Sequence, residues 1–136
     1  MNRPLTLASS VAGAVIVALD GTVLTVAQPT LRHDLHASVG QVQWTTTGYL
    51  VAVAALLVFA GRLGDLPHPS RGGGTPIGHH RLFAVGMLGF GAASAGIALA
   101  PDVRWVIGLR VVQGVFGALL QPATLGMLRV AVPPGP

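Results

Sequence analysis

The sequence predicts an all-α transmembrane fold of four spanning helices, and three observations carry that expectation. Hydrophobic side chains make up 51% of the 136 residues and charged ones 9%, whereas soluble domains carry about 25% charged residues. Mean hydropathy is +0.68. Four stretches are each apolar over roughly the 20 residues that a spanning helix needs. Prolines, glycines and charges gather between those stretches.

The first helix is expected over about 5–29, "LTLASSVAGAVIVALDGTVLTVAQP", with Asp20 inside it. Arg3 followed by the apolar run Val11–Leu19 has the outline of a cleaved leader. Asp20 interrupts that run where a cleavage region should follow, and apolar sequence resumes beyond it, so a retained helix is expected. The second helix is expected over about 41–61 and the third over about 82–100. Gly86, Gly89, Gly91, Ala92, Ala93, Ser94, Ala95 and Gly96 crowd the third, and small residues let helices approach closely in a membrane. The fourth runs over about 103–128, with Arg110 inside, and "RVAVPPGP" stops it with prolines. The whole chain reads as a single transmembrane domain, 1–136, whose longest loop spans 62–81.

Orientation follows from arginines beside the membrane. Arg3, Arg62, Arg71, Arg81 and Arg129 lie on the side of the termini, against Arg32 and Arg104 on the other. Both termini and the 62–81 loop are therefore expected in the cytoplasm, in a multi-pass protein of the inner (plasma) membrane.

Several function classes drop out. With no Cys there is no disulfide or thiolate metal site. The basic balance, with a pI near 11.5, invites nucleic acid, but the arginines stand singly and form no patch. "GGGTPIG" (72–78) has no Lys and no preceding strand, so no nucleotide site is expected. His68, His79 and His80 offer one ligand type without a nearby acid, so neither a metal nor a cofactor is expected. No nucleophile–base constellation stands out, which argues against an enzyme.

Asp20 and Arg110 are the informative residues. A charge at the centre of a bilayer costs about 2.5–3.5 kcal/mol on insertion scales and is usually paired or functional. Asp20 lies 15 residues past the start of its expected span and Arg110 seven past the start of its own. Both fall in the outer half of the membrane, and a contact between them, direct or through water, is expected. The alternative is a snorkelling Arg110 and a water-exposed Asp20. A carboxylate in a low-dielectric cavity can load and release a proton as access alternates, which is the chemistry of a proton-coupled transporter. Gln113, one turn beyond Arg110, is placed to line a polar cavity or to bond a neighbouring helix. Pro29 and Pro122 sit near or within helices, where each either kinks the helix or, for Pro29, ends it.

Three stretches resemble the fourteen-helix drug–proton antiporter branch of the major facilitator superfamily. "LDGTVLTVAQPTL" (19–31) looks like the branch's helix-one signature through Leu19, Asp20, Thr22, Val23, Val26, Ala27 and Pro29, with Thr25 where Asn is usual and Gln28 where an apolar residue is usual. "LRVVQGVFGALLQPATL" (109–125) is similar to the helix-four motif through Arg110, Gln113, Gly114, Gly117, Ala118, Pro122 and Ala123. "QWTTTGYLVAVAALLVFAGRLGD" (43–65) resembles the second helix running into the loop motif. In that motif Gly61, Leu63, Gly64 and Asp65 match the first half and Gly78, His79, His80 and Arg81 the second, with "PHPSRGGGTP" (67–76) inserted between. Leu66 replaces the first basic residue.

The resemblance implies a four-helix portion of the N-terminal six-helix bundle of a major facilitator transporter. It further implies proton-coupled efflux of amphipathic drugs, with Asp20 and Arg110 as the intramembrane charges. Gln113, Gly114, Gly117, Pro122, Thr22 and Pro29 would serve as cavity or motif residues, and Gly61, Gly64, Asp65 and Arg81 as the gating loop. The expected partners are the lipid bilayer, an amphipathic small molecule, the proton, and the remainder of a transporter or a homo-oligomer, with no nucleic acid. As an N-terminal piece, the chain is not expected to alternate access alone. Two other readings compete: a small four-helix dimeric multidrug transporter with Asp20 as its carboxylate, and a non-transporting membrane assembly or regulatory fragment.

Overall fold

The computed structural model describes residues 3–65 and 79–131, and every regular element among them is an α-helix. In chain order these are α1 (Arg3–Asp34), α2 (Val39–Asp65), α3 (His79–Ala98) and α4 (Val103–Ala131). All four contain a span long and apolar enough to cross a membrane. The inserted stretch 67–76 and the loop residues around it lie outside the described residues.

The helix ends follow from local chemistry. His36 adopts φ 49°, and the Ala37 amide reaches back to the Arg32 carbonyl at 3.1 Å. That left-handed residue closes α1. Ser38 and Gln41 then open α2 reciprocally: the Ser38 amide donates to Gln41 Oε1 at 2.9 Å and the Gln41 amide to Ser38 Oγ at 3.2 Å. This capping box satisfies donors that the first turn would leave bare. Asp102 caps α4, its Oδ1 accepting the amides of Arg104 at 2.7 Å and Trp105 at 3.1 Å.

Helix bounds depart from the sequence expectation chiefly in α1. Pro29 neither ends nor closely precedes the end of that helix, which continues through it to Asp34. Proline costs one backbone bond, and a helix carries on where its other bonds hold. α2 likewise runs on to Asp65, whereas α3 stops at Ala98 instead of 100. Pro122 is inside α4.

The packing centres on α4, which meets α1, α2 and α3, while α1 also meets α2. Close approach depends on small residues, since helices in a bilayer gain no hydrophobic drive toward one another. A Cβ on Gly114 would stand 2.6 Å from the Tyr49 carbonyl oxygen and 2.9 Å from the Ala52 methyl. Only glycine lets α4 lie that near α2. On the other side, a Cβ on Gly86 of α3 would stand 3.0 Å from Leu120 and 3.2 Å from the Phe116 carbonyl oxygen of α4.

Candidate functional site

Where α1, α2 and α4 meet, the apolar packing gives way to a polar knot. Arg110 and Gln113 are one turn apart on α4 and fully buried, Arg110 at 2% exposure and Gln113 at 0%. Arg110 Nη1 donates to Asp20 Oδ2 at 2.5 Å and to Gln113 Oε1 at 2.7 Å. Gln113 Nε2 in turn donates to Asp20 Oδ1 at 3.0 Å. Each member of this triangle is bonded to the other two. Gln113 accepts from a cation and donates to a carboxylate at once, which an amide can do and a carboxylate or an ammonium cannot.

The expected contact between Asp20 and Arg110 is thus direct, and Arg110 does not snorkel. α2 completes the enclosure of the guanidinium. Arg110 Nε donates to the Thr45 backbone carbonyl at 3.1 Å, and Arg110 Cζ lies 4.4 Å from the centroid of the Tyr49 ring. Desolvated charge pairs of this kind survive because Coulomb attraction is strong at low dielectric and the remaining donors are occupied.

The observed helix bounds place the pair differently along its helices than the expected spans do. Asp20 is 14 residues from the C-terminal end of α1, Arg110 seven from the N-terminal end of α4. At about 1.5 Å per residue, α1 extends roughly 10 Å farther than α4. Asp20 consequently sits near the middle of its helix, because the turn beyond Pro29 adds length on that side.

Two cavities flank the knot between α1 and α4. One, of about 430 Å³, has Asp20 and Arg110 at one end and Thr30 and Asp34 toward the other, with Ser94 on the α3 side. The second, about 390 Å³, is lined by Gly13, Ala14, Val17, Leu120, Gln121 and Thr124, among others. The carboxylate lines the first of these cavities, and the Asp20 side chain is 16% exposed.

The match to known proteins decides the family. The family model described as Major Facilitator Superfamily matches residues 11–135. The chain belongs to the Major Facilitator Superfamily. It is 46% identical over 130 residues to the tetracenomycin C resistance and export protein of Streptomyces glaucescens, covering 96% of this chain and 22% of that protein. It is 42% identical over 116 residues to a probable actinorhodin transporter of Streptomyces coelicolor, covering 85% of this chain and 18% of the relative. Similarity to the multidrug efflux pump LfrA of Mycolicibacterium smegmatis is 38% over 114 residues, 84% of this chain and 21% of the pump. The chain spans about a fifth of the length of these relatives. Membership in this superfamily, together with four apolar spans, makes it an integral membrane protein of a transporter family.

Other residues singled out in the sequence are dispersed. Thr22 is exposed and donates to the Ala18 carbonyl on its own helix at 3.2 Å. Gly117 lies beside Tyr49, where a Cβ would stand 3.0 Å from the phenol oxygen. Gly61 and Pro122 face each other where α2 and α4 run together, a Cβ on Gly61 reaching within 3.9 Å of Pro122 Cβ. Pro29 is exposed on the C-terminal part of α1, while Gln28 donates to Thr46 Oγ1 of α2 at 3.4 Å. Gly64 and Asp65 end α2 and Arg81 is exposed in the first turn of α3. The residues between, including His68 and Gly78, lie outside the described residues. Among the described residues no group of three or more His, Cys, Asp or Glu is placed to hold a metal ion.

Sequence reasoning missed Thr45 and Tyr49. The signal was present as Gly114 and Gly117, whose spacing on α4 beyond Arg110 marks a face that admits a large neighbour at close range.

Proposed function

We propose that the protein carrying this chain exports amphipathic drugs in exchange for protons, with Asp20 as the coupling carboxylate. One observation supports this reading above the others: a carboxylate, a guanidinium and an amide form a closed hydrogen-bonded triangle inside a bundle of apolar helices. Intramembrane ionisable groups on facing helices with access to a cavity suit a proton relay. Protonation of Asp20 would replace its charge with a neutral carboxyl and leave Arg110 held by α2 and Gln113 alone. α1 would then be free to move relative to α4, with cavities on both sides to accommodate it.

The substrate class follows the relatives, which are named for tetracenomycin C, actinorhodin and multiple drugs. The membrane is the bacterial plasma membrane, with the α1–α2 and α3–α4 turns outside and the 62–81 loop in the cytoplasm. The arginine distribution supports that orientation, and so do Trp44 and Trp105, exposed near the outer ends of α2 and α4 where aromatic side chains favour the interface. Exposed apolar residues such as Val11, Val15, Val23 and Val26 on α1 would meet lipid or further helices.

The test is export by the product of the intact gene in a strain lacking its own efflux pumps. Cells expressing it should accumulate several-fold less ethidium and tetracenomycin C than control cells, and a protonophore should erase the difference. Equal accumulation of both compounds, with the protein present in the membrane by immunoblot, would sink the reading.

A further inference from the structure

The guanidinium of Arg110 has two sets of partners that belong to different helices. Nη1 faces Asp20 on α1, whereas Nε and the flat face belong to α2, through the Thr45 carbonyl and the Tyr49 ring. Thr45 and Tyr49 are one turn apart, so they present an acceptor and a π-face on the same side of α2. An arginine gripped at its edge and its face loses the freedom to swing about its long side chain.

Tyr49 is itself seated by α4. The absence of a side chain at Gly114 brings the Tyr49 backbone against α4, and at Gly117 it leaves space for the phenol end. The ring therefore lies along α4 from Arg110 to Gly117. It is held at both ends, and its face lies against the guanidinium.

We propose that Tyr49 is a positioning residue that holds the Arg110 guanidinium against Asp20 and so sets the pH at which Asp20 exchanges its proton. The inference rests on the reading of Asp20 as the coupling carboxylate. The groups that bear on Asp20 are few. α4 contributes Arg110 and Gln113, α2 contributes Tyr49, and Asp34 of α1 lines the same cavity. From α3 the cavity receives Ser94, Ile97 and Ala98, none of which titrates. A charge that drifts away from a carboxylate favours its neutral form, so loosening Arg110 moves proton exchange to higher pH.

The experiment uses the full-length protein in proteoliposomes, with ethidium as the probe, and reads two quantities. One is the pH profile of ethidium–proton exchange. The other is the infrared carboxyl band that Asp20→Asn removes. Tyr49→Leu should shift both midpoints upward by about one pH unit, a tenfold change in proton affinity. Tyr49→Phe keeps the ring and should retain the wild-type midpoints. Gly117→Ala, whose methyl would stand 3.0 Å from the phenol oxygen, should shift them in the same direction by a smaller amount and serves if Tyr49→Leu is not recovered. Unshifted midpoints in whichever of these two variants is recovered, alongside a wild-type band that titrates, would reduce Tyr49 to packing and overturn the inference. A pH profile that Asp20→Asn leaves intact would instead overturn the coupling role of Asp20, and the inference with it.

Discussion

Arg110 and Asp20, 90 residues apart in the chain, meet at 2.5 Å and join α4 to α1 inside the apolar interior. The pair is asymmetrically held: Arg110 is 2% exposed and Asp20 16%. The cation is locked into the bundle while the anion borders a cavity, the arrangement expected if the carboxylate is the member that changes charge.

Asp20→Asn or Arg110→Gln alone strands one buried charge without its counterion. Each should lower the stability of the detergent-solubilised protein by about 3 kcal/mol, read by thermal unfolding. The double replacement removes both charges and should cost about 2 kcal/mol less than the sum of the two. A double variant no milder than that sum would show that the residues do not act as a pair.

Gln113→Glu tests the amide. The new side chain still accepts from Arg110 Nη1 but, when ionised, donates nothing to Asp20 Oδ1 and sets a second carboxylate beside the first. The expected loss is about 1.5–3 kcal/mol, together with impaired export. Gln113→Glu as stable as the wild type would mean that the donation to Asp20 contributes little.

Gly114→Ala tests the α2–α4 approach. Its methyl would meet backbone at 2.6 Å, so the helices must separate, at a cost of about 1–3 kcal/mol. Lower yield and a lower unfolding temperature are expected, whereas Gly108→Ala, at a position with open space, should leave both unchanged.

Ser10 offers an opposite expectation. Its hydroxyl is buried without a hydrogen-bond partner among the described residues, and the nearby Thr6 carbonyl is already engaged by Ser9 Oγ at 3.0 Å. Ser10→Ala should be neutral or slightly stabilising in the same thermal assay. A loss above about 1 kcal/mol would reveal a partner for that hydroxyl.

Much of this is legible in the residues. Hydropathy alone locates the four spans, and Asp20 and Arg110 stand out because nothing else charged lies so deep in them. The end of α1 is harder to place because Pro29 reads as a stop, although a missing amide and a tight ring do not halt a helix whose neighbours stay bonded. Tyr49 escapes notice because an aromatic in an apolar helix looks like ordinary packing. Its importance depends on a partner 61 positions away, Arg110, whose face it covers. Such pairings belong to tertiary geometry and leave only the indirect trace of glycines that make room.

Whether the Asp20 charge couples drug movement to protons is decided by counterflow in proteoliposomes. With full-length protein and internal ethidium, an imposed pH gradient should drive dye movement several-fold above the gradient-free rate. Asp20→Asn should exchange ethidium at a rate that ignores the gradient. If Asp20→Asn responds to the gradient as the wild type does, the proton is carried elsewhere and Asp20 is not the coupling carboxylate.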